Sequence, residues 1–311
     1  THIDGFNAAV LAVTEELAAA GPRQSHLNIM PGLVSPADLR YLKEILADFG
    51  SEAVLLPDYS DTLDGPAWED YHRISPGGTT LDAIRSMGRA AATLELGRTL
   101  PARSAGSILQ QRFAVPQLRL GLPIGVRESD AFFTAVAQVT GRSVPDRHTL
   151  ERGRLIDSYV DGHKYVAGKT AVVYGEEDLV AGLAAFLAEI GIVPIVCASG
   201  GRSGRLTEAL QALIPEHLPR ITIRDDADFA LIDQLAETHR PDLLIGNSKG
   251  YPTARKLGVP LVRVGFPIHD RVGGQRIAHL GYRGAQQLFD RIVNALLEHK
   301  QEHSDVGYAY M

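Results

Sequence analysis

The sequence predicts an α/β fold in which two domains, residues 1–145 and 146–311, are built on doubly wound parallel sheets. Stretches with the pattern of strands alternate with stretches of helical periodicity, most regularly in the second half, which is typical of parallel sheets. Residues 241–271 (PDLLIGNSKGYPTARKLGVPLVRVGFPIHDR) predict one tight β-α-β unit, with strands at 242–245 and 260–264 around a short helix. The chain has 311 residues, which is enough for two such domains.

Each element predicted in the first half has a local signal. Apolar residues at helical spacing mark the helices, and Ser35 and Pro36 form an N-cap and first-turn pair. The long polar segment 57–78 predicts a loop, and loops of that length are commonly functional or interfacial. The predicted helices are 7–20, 36–49, a short helix capped by Thr79 and Thr80, 105–112 and 128–140, and the predicted strands are 27–30, 53–56, 91–96 and 117–120.

The second half begins after a glycine- and proline-containing boundary at residues 141–145 and opens with a long charged helix. Strand and helix then alternate as far as a closing helix. The predicted helices are 146–165, 177–190, 205–213, 227–239, 251–257 and 284–300, and the predicted strands are 170–174, 193–197, 221–223, 242–245 and 260–264.

The composition argues against several classes of function. The chain is 45% hydrophobic and 22% charged, which indicates a globular protein. Its net charge of −6 and the lack of a long basic run argue against nucleic acid or an anionic membrane as a partner. No apolar run reaches the ~18–20 residues of a membrane span. Cys197 is the single cysteine and is predicted to be a core residue; without an internal disulfide, the chain suits a reducing cytoplasm.

A serine-hydrolase site is one interpretation of the turn in the β-α-β unit. Residues 246–250 (GNSKG) match G-x-S-x-G between a strand and a helix, the setting of a hydrolase nucleophile. Asp270 and His279 follow Ser248 in the order that a triad needs. The pattern is short, and we favour the alternative of a turn whose small residues cap a helix.

Two other strand-end turns bear on phosphate binding. Residues 199–205 (SGGRSGR) offer backbone amides and two arginines, but they lack G-x-G-x-x-G and the P-loop lysine. A flexible polar loop is favoured there, and a phosphate- or sugar-nucleotide-binding enzyme is kept as an alternative function. The turn 174–178 (YGEED) places three carboxylates where a pyrophosphate would bind, which predicts a structural turn instead.

Asp157 and Asp161 form a candidate metal-binding pair. They are four residues apart on the helix predicted at 146–165, so both carboxylates project from one face. Two like charges at that spacing cost roughly 0.2–0.5 kcal/mol unless a hard cation neutralises them. Spacing alone favours a solvated helix face. The 11 histidines include no H-E-x-x-H motif and no Cys/His cluster, so a metal cage within the chain has little support.

Several motifs resemble the β-type subunit of nitrogenase component 1 in its molybdenum, vanadium and iron-only forms, and the likeness extends over nearly all of the chain. The first half is most similar to the vanadium and iron-only branches and to nitrogenase-like reductases such as methylthio-alkane reductase. The matching segments are 2–7 (HIDGFN), 56–61 (LPDYSD), 77–84 (GGTTLDAI), 107–109 (SIL), 151–157 (ERGRLID), 241–250 (PDLLIGNSKG), 262–271 (VRVGFPIHDR) and 280–285 (LGYRGA).

The resemblance implies Rossmann-like domains, with two of the family's three domains present. In the family the first domain carries the cysteines that hold an [8Fe-7S] cluster at the α/β interface, and this stretch lacks them. The iron-containing catalytic cluster lies in the α-type partner, so the resemblance implies no catalytic and no cofactor-binding residues in this chain. Asp157 and Asp161 match the family's metal-binding pair, where two β subunits share a calcium or iron ion.

The function that the resemblance implies is that of a β-type subunit in an α2β2 oxidoreductase complex of the nitrogen-fixation type. An ATP-dependent iron–sulfur reductase would deliver electrons, which pass through the interface cluster to the catalytic cluster of the α subunit. The isolated chain is expected to be inactive, and the loop 57–78 is expected to serve assembly. The alternative of a different class is a scaffold for assembling the nitrogenase cofactor.

Overall fold

The computed structural model describes residues 1–305, in which the strands form two parallel sheets; this confirms the predicted doubly wound α/β fold. The strands are β1 (Leu27–Met30), β2 (Ala53–Leu55), β3 (Ala92–Leu96), β4 (Gln117–Leu120), β5 (Thr170–Gly175), β6 (Val193–Ser199), β7 (Thr222–Arg224), β8 (Leu243–Gly246) and β9 (Leu261–Arg263). The first sheet has the order β2-β1-β3-β4 and the second has the order β7-β6-β5-β8-β9. In each sheet the chain starts at an inner strand and adds strands on both sides, which creates a topological switch point.

Helices connect these strands. They are α1 (His2–Leu17), α2 (Pro36–Asp48), α3 (Ser60–Leu63), α4 (Leu81–Ser86), α5 (Ala105–Phe113), α6 (Gly125–Thr140), α7 (Asp146–Val166), α8 (Glu177–Glu189), α9 (Leu206–Leu213), α10 (Phe229–His239), α11 (Tyr251–Leu257) and α12 (Gly281–Glu302). In the β-α-β unit, α11 has its predicted bounds and β8 pairs in parallel with β9.

The strands are buried on both faces of the second sheet. Along β5, Ala171 and Val173 join one hydrophobic cluster, whereas Val172 and Tyr174 join another. Successive side chains of a strand point to opposite faces, so the near-continuous apolar run of β5 is explained by helices that cover both sides.

Several predicted helix starts are wrong by part of a turn or more. α1 begins at His2 rather than at residue 7, because the Thr1 side chain and Asp4 form a capping box. α6 begins at Gly125 and α12 at Gly281, both earlier than predicted, and both first residues have positive φ. A glycine in the first turn adds no apolar periodicity, so the sequence pattern starts late.

The segment predicted as a continuous loop at 57–78 contains the short helix α3, so that prediction is wrong over Ser60–Leu63. The helix is held by polar contacts. Asp58 Oδ1 accepts the backbone N–H of Ser60 at 3.0 Å, and Arg40 donates to the carbonyl oxygen of Ser60 at 3.1 Å. Arg40 lies far from α3 in sequence, and Asp58 acts through its side chain. Such contacts produce no helical pattern of apolar residues, so the sequence did not predict this helix.

The two sheets share a core. One hydrophobic cluster contains Leu27 of the first sheet together with Val173 of the second and Phe289 of α12. α12 packs against both α7 and α6. The domain division at residues 145 and 146 stays a prediction, and residues 306–311 of the second predicted domain lie outside the described residues. Among the helices within residues 1–305, none combines the length and apolar composition needed to cross a membrane.

Candidate functional site

The acidic pair lies on an exposed face of α7. Asp157 and Asp161 are both exposed, and the neighbouring apolar residues Ile156 and Val160 are 39% and 72% exposed. Within residues 1–305 there is no group of three or more side chains placed to hold a metal ion. The pair offers a cation two carboxylates, so water or a second chain would complete an oxygen shell of roughly six to eight ligands.

The turn after β8 holds its serine in an ion-pair network. Ser248 Oγ donates a hydrogen bond to the carboxylate of Asp270. Arg263 donates to the same carboxylate from Nε at 2.9 Å and from Nη2 at 2.6 Å. These hydrogen bonds hold the pKa of Asp270 well below its usual range. The ion-paired carboxylate is therefore a weak base, and it is poorly suited to remove the proton of Ser248 near neutral pH.

The side chain of His279 pairs with Asp38 of α2. The backbone N–H of His279 donates to Asp38 Oδ1 at 2.7 Å, and its Nδ1 lies 3.1 Å from Asp38 Oδ2. Ser248 and Asp270 are in contact, but the histidine of the hypothetical triad is bonded to another carboxylate. The hydrolase interpretation is therefore wrong, because His279 does not complete a triad with Ser248 and Asp270.

The glycines and the asparagine of the same turn serve capping and packing, as the favoured interpretation predicts. Asn247 Oδ1 accepts the backbone N–H of Lys249 at 3.1 Å, which caps a short 3₁₀ turn. The Tyr174 hydroxyl donates to the carbonyl oxygen of Asn247 at 2.7 Å. A Cβ atom at Gly246 or Gly250 would overlap the Tyr174 side chain. The G-x-S-x-G pattern thus reflects the close approach of Tyr174.

The loop at residues 199–205 is occupied by the protein's own carboxylates. Glu177, which is 4% exposed, accepts the backbone N–H of Ser203 at 3.1 Å. Arg202 donates from Nε to Asp226 Oδ1 at 2.7 Å. A phosphate would have to displace the buried carboxylate of Glu177 from the Ser203 amide, so the geometry does not support a phosphate site.

The turn at residues 174–178 joins the two sheets, which agrees with its predicted structural role. Asp178 Oδ1 accepts the backbone N–H groups of Arg98 and Thr99 at 2.6 and 2.8 Å. Burial raises the pKa of Asp178. The contact ties the start of α8 to the loop after β3.

A cavity of about 280 Å³ opens at the carboxyl end of the first sheet. Its lining includes Phe6, Met30, Leu56, Glu95, Glu177 and Arg205. Glu95 is 3% exposed, and its carboxylate accepts hydrogen bonds from the Ser104 hydroxyl at 2.8 Å and from the backbone N–H of Gly106 at 3.1 Å. Sequence reasoning did not single out Glu95, although one charge inside the apolar strand ATLEL was an available signal. Its oxygens are engaged, so it shapes the cavity wall.

The single cysteine is unsuited to ligation. Cys197 is fully buried in β6, as predicted, and burial raises the pKa of its thiol to about 12. The thiolate, which is the form that binds metals, is therefore absent near neutral pH. The residues of this chain do not fit a cluster that is held by several cysteines.

Comparison with known proteins identifies the family. Residues 1–297 match the sequence model of the nitrogenase component 1 type oxidoreductases. This chain belongs to that family. Within it, the nitrogenase molybdenum–iron protein β chain of Methanothermobacter marburgensis is 36% identical over 307 residues, which cover 97% of this chain and 66% of the relative. The nitrogenase vanadium–iron protein β chain of Trichormus variabilis is 34% identical over 314 residues, which cover 97% and 67% of the two chains.

A solved nitrogenase has the same fold. The structure of nitrogenase Cp1 at pH 6.5 matches with a TM-score of 0.95 and 30% identity, over 100% of this chain and 68% of the other. The nitrogenase β-type resemblance of the sequence motifs is thereby confirmed. The chain spans about two thirds of the length of the relatives that it matches.

Proposed function

We propose that this chain is the β-type subunit of a nitrogenase or nitrogenase-like reductase complex. The observation that carries the proposal is the agreement with nitrogenase Cp1 along the whole chain, at a TM-score of 0.95. Relatives named for molybdenum–iron and for vanadium–iron proteins are similarly distant from it, at 36% and 34% identity. This similarity supports a shared scaffold and does not favour a particular heterometal.

In the proposed complex this chain pairs with an α-type subunit and with a second β chain in an α2β2 assembly. An ATP-dependent iron–sulfur reductase is the electron donor, an [8Fe-7S] cluster lies at the α/β interface, and the iron-containing catalytic cluster lies in the α subunit. Because Cys197 is buried and is the single cysteine, the residues of this chain do not supply such ligand sets. The contribution of these 311 residues is architectural.

The isolated chain is inactive on this proposal. Three local observations support that view. Ser248 is bonded to an ion-paired carboxylate, the loop at 199–205 is filled by Glu177, and the thiol of Cys197 is buried. The single cysteine, which cannot form an internal disulfide, supports a cytoplasmic location.

We also propose that Asp157 and Asp161 hold a calcium or iron ion between two β chains. Their carboxylates repel each other at this helical spacing, and a hard cation relieves the repulsion. Ile156 and Val160 expose apolar surface beside them, as expected of a helix face that meets another chain.

The test is purification of the native complex through an affinity tag on this chain. We expect an α-type partner at equal stoichiometry, bound iron and sulfide, and substrate reduction that requires the iron–sulfur reductase and ATP. Omission of the α-type partner should remove both the iron–sulfur clusters and turnover. A complex that transfers a cluster to an acceptor without turning over substrate would instead favour the cofactor-assembly scaffold. Catalysis by the isolated chain, free of iron, would refute the proposal.

A further inference from the structure

Two histidines lie together at the carboxyl end of α12. His299 is in the last turn of the helix, and His303 follows at its C-cap. Their ring centroids are 4.2 Å apart, and the ring planes are inclined by 42°. Side chains four residues apart lie on the same face of a helix, so the two rings share one side of its end.

The backbone determines which nitrogen of His303 is free. Its Nδ1 lies 2.8 Å from the carbonyl oxygen of His299. A carbonyl oxygen only accepts hydrogen bonds, so we assign the proton to Nδ1, and Nε2 keeps its lone pair. Histidines that bind metals typically donate their second ring nitrogen to a carbonyl or carboxylate in this way, which orients the ring.

His299 is also prepared to act as a ligand. Its ring nitrogens have no hydrogen-bond partner within residues 1–305. Two charged side chains act on the His299 ring. Glu302 is acidic and Lys169 is basic, so their electrostatic effects on the ring are opposite in sign.

We propose that His299 and His303 form a peripheral binding site for a borderline divalent transition metal such as Zn²⁺, with one imidazole nitrogen from each. Two imidazoles on one ion, with metal–nitrogen bonds of roughly 2.0–2.1 Å, place their centroids roughly 4.5–5.2 Å apart. The observed centroid separation of 4.2 Å lies just below this range. Because this chain supplies two ligands, water fills the remaining positions and the ion exchanges readily.

The experiment is a Zn²⁺ titration of the purified complex by isothermal titration calorimetry. All variants carry Asp157→Asn and Asp161→Asn, so that the acidic pair does not contribute. His299→Ala and His303→Ala are compared with His72→Ala, a matched control, because the His72 ring packs against Trp68 and contacts no second imidazole among residues 1–305.

The parent protein is the complex in which this chain carries Asp157→Asn and Asp161→Asn. We expect one Zn²⁺ per copy of this chain in that parent protein and in its His72→Ala variant. Either substitution at the helix end should weaken binding by at least roughly tenfold, since even the loss of an outer-shell partner costs that much. Circular dichroism establishes that the variants are folded. Binding of equal affinity in the parent protein and both helix-end variants would overturn the proposal, as would a parent protein that does not bind Zn²⁺.

Discussion

Asp38 and His279, which are 241 residues apart in sequence, form a buried pair that fastens the first half of the chain to the second. Asp38 Oδ1 accepts the backbone N–H groups of His279 at 2.7 Å and of Leu280 at 2.9 Å. Oδ2 lies 3.1 Å from His279 Nδ1 and also accepts the hydroxyl of Ser35 at 2.9 Å. One carboxylate thus caps α2 and holds the segment that precedes α12.

Replacement of Asp38 should be strongly destabilising. We expect Asp38→Ala to lower the free energy of unfolding by about 3–5 kcal/mol, because it leaves buried donors unpaired. Urea denaturation measures this loss. Asp82→Ala is the control, since Asp82 is exposed and pairs with Arg85 on the surface, and it should cost less than about 0.5 kcal/mol. Equal losses in the two variants would contradict the role assigned to Asp38.

Tyr41 and Glu151 should make stability dependent on pH. The Tyr41 hydroxyl donates to Glu151 Oε2 at 2.5 Å. Burial alone would raise the pKa of Glu151, but hydrogen bonds from His148 and Tyr41 outweigh it and lower the pKa to about 2. Because this folded value lies below the unfolded value of about 4.3, the ionised carboxylate stabilises the protein above about pH 4 and this stabilisation is lost as the pH falls towards about 2.

The corresponding variant is Tyr41→Phe. It should cost about 1.5–3 kcal/mol at neutral pH, since a hydrogen bond to a charged group is lost. The fall in unfolding free energy between about pH 5 and about pH 3 should be shallower than in the parent protein. Tyr165→Phe is the matched control, because Tyr165 is partly buried and its ring lies under Lys164. An unchanged pH slope in Tyr41→Phe would count against the prediction.

Two glycines should respond to alanine with opposite signs. A Cβ atom at Gly246 would overlap the Tyr174 side chain, so Gly246→Ala should lower the free energy of unfolding by about 1–3 kcal/mol. At Gly153, within α7, a Cβ atom would have no neighbour within 4 Å. Gly153→Ala should raise the free energy of unfolding by about 0.5–1 kcal/mol, because alanine favours the helix. Thermal unfolding of both variants checks the signs.

The acidic pair on α7 should be required for the proposed ion. Asp157→Asn combined with Asp161→Asn should remove calcium or iron from the β–β contact, measured by elemental analysis of the native complex. In the metal-free chain the same change should stabilise α7 by roughly 0.2–0.5 kcal/mol, because like charges are removed. Asp146→Asn, an exposed acid at the start of the same helix, should retain the ion. Unchanged metal content in the double variant would refute the site.

Ser248 should behave as a structural residue. A fluorophosphonate probe should fail to label the native protein at Ser248, since no histidine side chain is bonded to this hydroxyl within residues 1–305. Ser248→Ala should cost about 1 kcal/mol of stability through the lost hydrogen bond to Asp270. Stoichiometric labelling that disappears in Ser248→Ala would restore the hydrolase interpretation.

The fold was predictable wherever local signals bracket an element. α11 has its predicted bounds because Pro252 favours the first turn and Gly258 adopts positive φ at the C-cap. The start of α12 was predicted too late, because Gly281 adds no apolar periodicity and because Asp38 fixes the preceding segment from a distant part of the chain. A single sequence does not show that Asp38 and His279 are close together in space.

The candidate site was predictable to a similar degree. The burial of Cys197 followed from its place at the end of an apolar strand. The contact of Ser248 with Asp270 matches part of the triad hypothesis, but Arg263 neutralises the carboxylate and His279 binds elsewhere. The order of residues along the chain is compatible with many arrangements in space, so it could not separate a triad from a packed turn.

Asp38 links α2 to the segment before α12, and this contact limits where chimeras of related β chains can be joined. A chimera with its crossover at residues 145 and 146 would take Asp38 from one parent and His279 from the other. The backbone N–H of Gly281 also donates to the carbonyl oxygen of Pro123 at 2.7 Å, across the same crossover. Exchange between homologues should therefore transfer α2, residue 123 and the 279–281 segment together, since the two halves are not interchangeable modules.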